Sequence, residues 1–341
     1  MRAVVYSQLG DSSVLEVVDR EVPTPHWGQV RVRLEVAGVN PTDWKFRAGT
    51  TAGSMPFDEV VPGQDGAGVV DEVGSGVSGV KTGERVWVYL AQHEQPTGTA
   101  AEYTLVPAER VVPLPGSASY DVGASLGVPA MTAHRCLTVH EDGPTRLSPG
   151  ALDGRVVLVT GGAGAVGHAA IQLAAWAGAT VVTTVSGDEK AALARAAGAH
   201  HVVNYRESDA AAEVRAIAPD GVDLVVDVAI IQNIDLVSRV LKPRGAVSVY
   251  ANTGGTEVTL PLRAFMGLNA RLQFVLLYTV GAAALRAAAE DITAALDEGV
   301  LEVGEEHGLP LVRFPLEETA AAHDAVENGA VGKVLLDISH D

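Results

Sequence analysis

Cysteine is nearly absent from this 341-residue chain: Cys136 stands alone. A disulfide within the chain and a cysteine-rich zinc site are both excluded. Cations are scarce as well, with 24 Lys and Arg against 42 Asp and Glu and a formal net charge of -18. So acidic a body repels phosphate backbones and anionic lipid, which argues against nucleic acid or a membrane as main partner. The same field works against an anionic cofactor, so any positive group near a phosphate gains weight. Long apolar runs are missing too. The most apolar window, residues 274–285, is too short to cross a bilayer and lies between Arg271 and Arg286. The start, Met1 to Tyr6, lacks the apolar core of a signal peptide. The expectation from these absences is a soluble, cytoplasmic protein. Hydrophobic residues are plentiful at 47%, enough for two domains with a sizeable core.

The first third reads as short strands. Residues 2–6, 14–18, 29–39, 69–73, 85–90 and 101–106 alternate apolar and polar side chains between Pro and Gly punctuation. A small irregular β-barrel is expected there. From about residue 122 the texture changes. A helix is expected at 126–137, and from residue 155 strands rich in Val alternate with helical segments. Strands of that composition belong to a parallel sheet covered on both faces, so the fold class is α/β. Ser186 and Glu189 have the spacing of a capping box at the start of a helix over 188–197. The end of the chain, with a helix at 285–296 and a last strand at 334–338, is expected to return to the barrel.

Between the strand at 156–160 and the helix that follows stands Gly161-Gly162-Ala163-Gly164-Ala165-Val166-Gly167. A glycine-rich turn between strand and helix brings backbone N–H groups close to a pyrophosphate, and the helix N-terminus adds partial positive charge. The same turn needs glycine for tight packing even without a ligand. The second strand of the sheet then ends Thr183-Thr184-Val185-Ser186-Gly187, with no carboxylate where a ribose 2′-hydroxyl would be bound.

Taken in order, several segments resemble the zinc-independent, zeta-crystallin-like quinone oxidoreductases of the medium-chain dehydrogenase/reductase superfamily. They are Gly38-Val39-Asn40-Pro41-Thr42-Asp43, Pro62-Gly63-Gln64-Asp65-Gly66-Ala67-Gly68, Thr99-Ala100-Ala101-Glu102-Tyr103 and Pro129-Ala130-Met131-Thr132-Ala133. The glycine loop, Gly198-Ala199 with Asn204-Tyr205, and Gly332-Lys333-Val334 complete the set. The resemblance implies a GroES-like domain at 1–124, completed by 291–341, and a Rossmann domain at 125–290 with NADPH in the cleft. It implies a small-molecule carbonyl or quinone substrate. It also implies a homodimer or homotetramer joined through edge strands, for which residues 271–278 are the candidate.

The resemblance also distributes roles. Zinc alcohol dehydrogenases of the superfamily carry cysteine where Asn40 stands and Gly-His-Glu where Gly63-Gln64-Asp65 stands. Neutral amides are poor zinc ligands, so a metal-free enzyme is expected. Gly161, Gly164, Ala165, Val166 and Gly167 are expected at the pyrophosphate. Lys190 and Tyr205, with Ser186, match the family's contacts to a 2′-phosphate; a solvated lysine and a half-buried ring are the structural alternatives. Thr132, at the start of its helix, either bonds near the nicotinamide riboside or caps the helix. Asn252 contacts the nicotinamide end or serves its own turn. Lys333 offsets phosphate charge or is an edge-strand lysine. Asn40 is the candidate donor to the oxyanion formed by hydride transfer, and Asp43 and Gln64 line the cleft. Lys45 departs from the family pattern and either stabilises an enolate or faces solvent. Water is the expected proton source. Val228-Ala229-Ile230-Ile231, where relatives carry glycines, reshapes the acceptor pocket. An enone or enoyl-thioester reductase and a non-enzymatic NADPH-binding protein remain the alternatives.

Overall fold

The computed structural model describes residues 1–50 and 53–338. It divides into two compact units, Met1–Val128 with Leu311–Asp341, and Pro129–Pro310.

The first unit opens with a hairpin of β1 (Arg2–Val5) and β2 (Glu16–Asp19). The eleven-residue β3 (Gln29–Val39) follows, its Val30, Val32, Leu34 and Val36 buried at alternate positions. That period of two aims one face at the core. At its end comes a short helix, α1 (Pro41–Arg47), that the strand pattern does not announce. Its signal is local: Asn40 as N-cap, Pro41 at the first helical position and Asp43 two residues later. β4 (Asp65–Val73), β5 (Arg85–Val88), β6 (Tyr103–Pro107), β7 (Val111–Pro113) and α2 (Tyr120–Gly123) complete this stretch.

The second unit is built on six parallel strands. They are β8 (Val156–Thr160), β9 (Thr180–Val185), β10 (His201–Asn204), β11 (Val222–Asp227), β12 (Leu241–Val249) and β13 (Arg271–Phe274). Their spatial order, β10-β9-β8-β11-β12-β13, reverses direction between β8 and β11. In an open α/β sheet, ligands collect at the carboxyl ends of the strands beside such a reversal. α3 (Gly127–Leu137) leads into this unit. The connecting helices are α4 (Ala165–Trp176), α5 (Asp188–Ala196), α6 (Ala210–Ile217), α7 (Ile230–Val240), α8 (Leu262–Leu268) and α9 (Ala282–Asp297). Val157, Leu158, Val159, Val225 and Val226 have no exposed surface, as the unbroken apolar runs require.

The chain ends with β14 (Leu311–Pro315), α10 (Thr319–Glu327) and β15 (Lys333–Asp337). β15 pairs antiparallel with β3, Val334 opposite Val39, and closes a seven-stranded mixed sheet. The last strand is thereby sewn onto the strand that leads into Asn40.

Four expectations change. The return to the first unit begins at Leu311 and not at 291, because α9 is tied into the second unit. Its buried Asp291 takes hydrogen bonds from the Arg146 side chain and the Leu147 N–H, and lies 2.8 Å from the His134 ring. The Ser186–Glu189 capping box does not form; Gly187 is the N-cap of α5 and no side chain caps it. Where the sequence pattern predicts a helix over 234–241 with an exit at 242–245, α7 instead starts at Ile230 and residues 242–245 are drawn into β12, with a register shift between Val222 and Leu224 of β11. Thr132 lies inside α3, which removes its capping alternative. Among the described residues, no helix is long and apolar enough to cross a membrane.

Candidate functional site

In the second unit, β8 delivers the chain into the glycine turn. Gly161 takes φ +70°, and its N–H donates to the Thr184 carbonyl, tying the turn to β9. A Cβ on Gly167 would sit 2.4 Å from the Gly161 carbonyl oxygen, so that glycine answers to packing. Gly164 differs. A Cβ there would meet nothing closer than 3.5 Å, its φ is an ordinary -88°, and the residue is exposed. No steric contact demands glycine at this N-cap, and its absence of a Cβ leaves room for a ligand to approach the backbone. The N–H groups of Ala165, Val166 and Gly167 open α4, and no acidic side chain sits in its first turn to compete for them. The loop fits a pyrophosphate.

The carboxyl ends of β9 and β10 bring together three expected contacts. The Tyr205 N–H donates to the Val185 carbonyl at 3.1 Å, placing Tyr205 beside Ser186. Tyr205 is 52% exposed and Lys190 half-buried in the first turn of α5, with no ion pair among the described residues. A hydroxyl, a phenol and an ammonium are the kinds of group that suit a phosphate. Asn252, beyond the end of β12, accepts from the Gly255 N–H through its carbonyl and so serves its turn, leaving an exposed side chain. Thr132 is buried. The end of β11 is locked to β8. Asp227 accepts from Thr160 Oγ1, Asn233 Nδ2 and the Ala229 N–H, while the Val228 N–H donates to Thr160 Oγ1. Val228 packs over the glycine turn, its Cγ1 3.0 Å from where a Gly161 Cβ would be.

The first unit holds a buried polar cluster where β3, β4 and β15 meet. Asn40 donates through Nδ2 to Asp65 Oδ2 at 2.7 Å and accepts through Oδ1 from Lys333 Nζ at 2.7 Å. Lys333 also reaches the Val39 carbonyl at 3.3 Å and lies 3.6 Å from Asp65. Asp65 takes a further bond from the Val128 N–H. Asp43 accepts from the Asn40 N–H at 2.7 Å through Oδ2, while its buried Oδ1 has no partner. Gly38 makes room for this, since a Cβ there would come 3.0 Å from the Lys333 ammonium.

Two carboxyls and one ammonium in a dry interior are not electrically balanced. Burial, then the Asp65 charge, push Asp43 up to about 7 against the pull of the Asn40 N–H and Lys333. Burial likewise raises Asp65 and lowers Lys333. A proton on Asp43 restores neutrality to the set.

These contacts correct two expectations. Asn40 is 2% exposed and its amide is engaged at both ends, so it holds the cluster together and is not a free oxyanion donor. Lys333, also 2% exposed, neutralises Asp65 and cannot reach a cofactor phosphate without breaking that contact. Lys45 stays outside the cluster, its ammonium 5.8 Å from the centre of the Trp44 ring. Gln64 donates to Gln92 Oε1 at 3.0 Å, and its own buried Oε1 is unpartnered. The donor set does not suit zinc. The amide oxygen at position 40 already faces an ammonium, which would repel a divalent cation. Among the described residues, no group of three or more His, Cys, Asp or Glu is placed to hold a metal ion.

Sequence reasoning named neither Asp65 nor Gln92 as a site member, nor the barrel cavity beside Gln92. Asp65 stands next to Gln64 in a motif that was read, but its partner Lys333 comes from the other end of the chain.

Comparison with known proteins agrees with this architecture. The family described as alcohol dehydrogenase GroES-like domain matches residues 26–116, and the one described as zinc-binding dehydrogenase matches residues 165–295. The quinone oxidoreductase of Lama guanicoe is 32% identical over 340 residues, covering 98% of this chain and 97% of that protein. A 2-haloacrylate reductase from Burkholderia sp is 34% identical over 338 residues, covering 95% and 94%. The solved structure of mycobacterial Rv1454c complexed with NADPH superposes with a TM-score of 0.82 at 28% identity, covering 98% of this chain and 99% of that one. With the six-stranded parallel sheet, its glycine turn and whole-length identity of this order, the chain belongs to the zeta-crystallin-like quinone oxidoreductases of the medium-chain dehydrogenase/reductase superfamily.

Proposed function

We propose that the chain is an NADPH-dependent, zinc-independent oxidoreductase that passes hydride to a quinone or another α,β-unsaturated carbonyl compound. The observation that carries the reading is Gly164, a helix N-cap whose glycine has no internal reason, backed by Ser186, Lys190 and Tyr205 at the neighbouring strand ends. Bound NADPH would supply the hydride. The N–H groups of Ala165, Val166 and Gly167 would hold the pyrophosphate, and Lys190 the 2′-phosphate as a point charge. The overall charge of -18 makes that one ammonium matter more. Zinc independence is supported by the amides at 40 and 64, both committed to partners inside the first unit.

The test is NADPH oxidation with para-benzoquinone on metal-stripped protein. Turnover that survives chelation, with NADPH bound more tightly than NADH, is expected. Stoichiometric zinc with activity lost on chelation would overturn the metal-free part, and no oxidation with any acceptor would leave a non-enzymatic binding protein. A second reading, reduction of an activated alkene, is favoured by the 2-haloacrylate reductase relative; parallel assays with crotonyl thioester and 2-chloroacrylate separate the two. We also propose a homodimer across the exposed edge of β13, where Phe274 is 64% and Leu276 57% exposed. Phe274→Glu should then lower the mass found by sedimentation.

A further inference from the structure

The glycine turn of the second unit is held from both sides, by different means. β8 pairs with β9 along its whole length, up to Thr160 opposite Thr184. With β11 its ladder runs only from Val157 opposite Leu224 to Val159 opposite Val226. It stops one residue short of the turn, where the strand order reverses. A hydroxyl and a carboxylate stand in place of the next rung. Thr160 Oγ1 donates to Asp227 Oδ2 at 3.1 Å and accepts from the Val228 N–H at 3.1 Å.

Asp227 has no exposed surface and takes three donors: Thr160, the Ala229 N–H at 2.7 Å and Asn233 Nδ2 at 2.8 Å. Asn233 belongs to α7, so one carboxyl joins β8, β11 and the helix that follows. A carboxylate only accepts, which suits three donors on two oxygens; an amide there would set a donor against a donor. Burial raises the carboxyl, and Asn233, Ala229 and Thr160 pull it back. The link also brings Val228 onto the turn, its Cγ1 3.0 Å from the place of a Gly161 Cβ. On the β9 side, Thr183 Oγ1 donates to the Val159 carbonyl at 2.7 Å and would lie 2.2 Å from a Cβ on Gly162.

We propose that Thr160 and Asp227 are positioning residues for the cofactor's pyrophosphate: their bond replaces the missing rung and fixes the glycine turn, and with it the N–H groups that open α4. This rests on the NADPH reading above and adds what holds the phosphate subsite in place.

Neither residue is a ligand contact. Thr160 is 1% exposed and Asp227 not at all, whereas Gly161 and Gly164 are exposed. A ligand on the turn meets backbone, and backbone N–H groups grip an anion where they converge on it. A glycine-rich turn has little stiffness of its own, so its flanks must supply the convergence. A donor moved off line loses its hydrogen bond steeply. Position separates Asp227 from Asp223, the other buried acid of β11. Asp223 stands at the amino end of the strand, and Asp227 at the carboxyl end, where ligands of open α/β sheets collect.

The experiment titrates 2′-AMP, 2′,5′-ADP and NADPH into wild type, Thr160→Val, Thr160→Ser and Asn233→Ala by calorimetry, with thermal melting alongside. The first two nucleotides differ by the 5′-phosphate alone, so the ratio of their affinities reads the turn. In wild type the 5′-phosphate should improve binding about tenfold. Thr160→Val keeps the shape and removes the hydroxyl. It should cut that gain to about twofold and weaken NADPH about fivefold, with 2′-AMP bound as before. Thr160→Ser should restore the gain. Asn233→Ala, at a half-buried helix position, takes one donor from Asp227 and should lower the gain about twofold. It decides the matter if Thr160→Val does not fold. An intact gain in the folded variants, whatever the melting temperature, makes the pair a brace of the fold and overturns the proposal. Equal losses for 2′-AMP and 2′,5′-ADP, or a wild type that binds the two alike, overturn it too. Each of these leaves NADPH binding standing. A wild type that binds none of the three overturns the cofactor reading and the proposal together.

Discussion

Two buried pairs of acids, Asp223 with Asp291 in the second unit and Asp43 with Asp65 in the first, are held in opposite ways. In the second unit, Asp223 and Asp291 are each met by two basic side chains and one backbone N–H. For Asp223 these are Arg155, Lys242 and the Val156 N–H; for Asp291 they are His134, Arg146 and the Leu147 N–H. Burial alone would raise both carboxyls, but these partners outweigh it and hold each below the ordinary range. In the first unit, Asp43 and Asp65 share the single ammonium of Lys333, and burial dominates, raising both. Asp43 Oδ1 and Gln64 Oε1 are left without partners. Saturated sites such as Asp223 and Asp291 brace a fold. Unfilled polar valence kept away from water is costly.

The largest test of this contrast removes a cation from each side. Lys333→Met leaves Asp65 and the Asn40 carbonyl without their ammonium and should cost about 3–5 kcal/mol in denaturant unfolding. Lys242→Met leaves Asp223 with Arg155 and Val156, and its partly exposed ammonium is worth about 1 kcal/mol. Equal losses would erase the contrast. Next comes Gly164→Val, which probes the open N–H groups at the start of α4. NADPH affinity should fall at least about 100-fold, near 3 kcal/mol, with the melting temperature of the unliganded protein kept. A protein that binds NADPH as before would remove the loop from the site.

The pH dependence should have opposite signs at Asp43 and at Asp291. Asp43 holds its proton in the folded state up to about 7, whereas the unfolded chain releases it near 3.8. Its contribution to stability therefore declines as pH rises between those values, by up to about 1.4 kcal/mol per pH unit, and is flat above. Asp43→Asn should abolish that decline. Asp291 lies below its ordinary value, so its contribution is present at neutral pH and is lost as pH falls through the folded value. Asp291→Asn should flatten the acid limb instead. Urea midpoints across pH distinguish the two, and a shared sign would break the comparison. The smallest effect belongs to Lys190→Ala, which should weaken NADPH about tenfold and leave NADH unchanged. Equal losses for both would make Lys190 a general phosphate group.

How far the chain could be read follows from range. The β8–glycine turn–α4 unit was legible because strand, turn and helix N-terminus lie within about twenty residues and each has its own local rule. α1 carried a signal of the same kind, Asn40-Pro41 with Asp43, yet its seven residues sit in a strand-rich stretch and offer no apolar period. The capping box at Ser186 had the right spacing and failed, because the chain leaves β9 extended through Gly187 and starts the helix one residue late. Asn40 and Lys333 were both legible as residues of interest, but not as partners.

The amino-acid sequence by itself determined the division into two units, the parallel sheet of apolar strands and the glycine turn, since these rest on periodicity and backbone conformation within short spans. Only the tertiary structure decided that Asn40 and Lys333, 293 positions apart, spend their hydrogen bonds on each other. Burial and partnership are properties of the packed chain, and a side chain's charge and availability are set by what surrounds it, not by its neighbours in sequence.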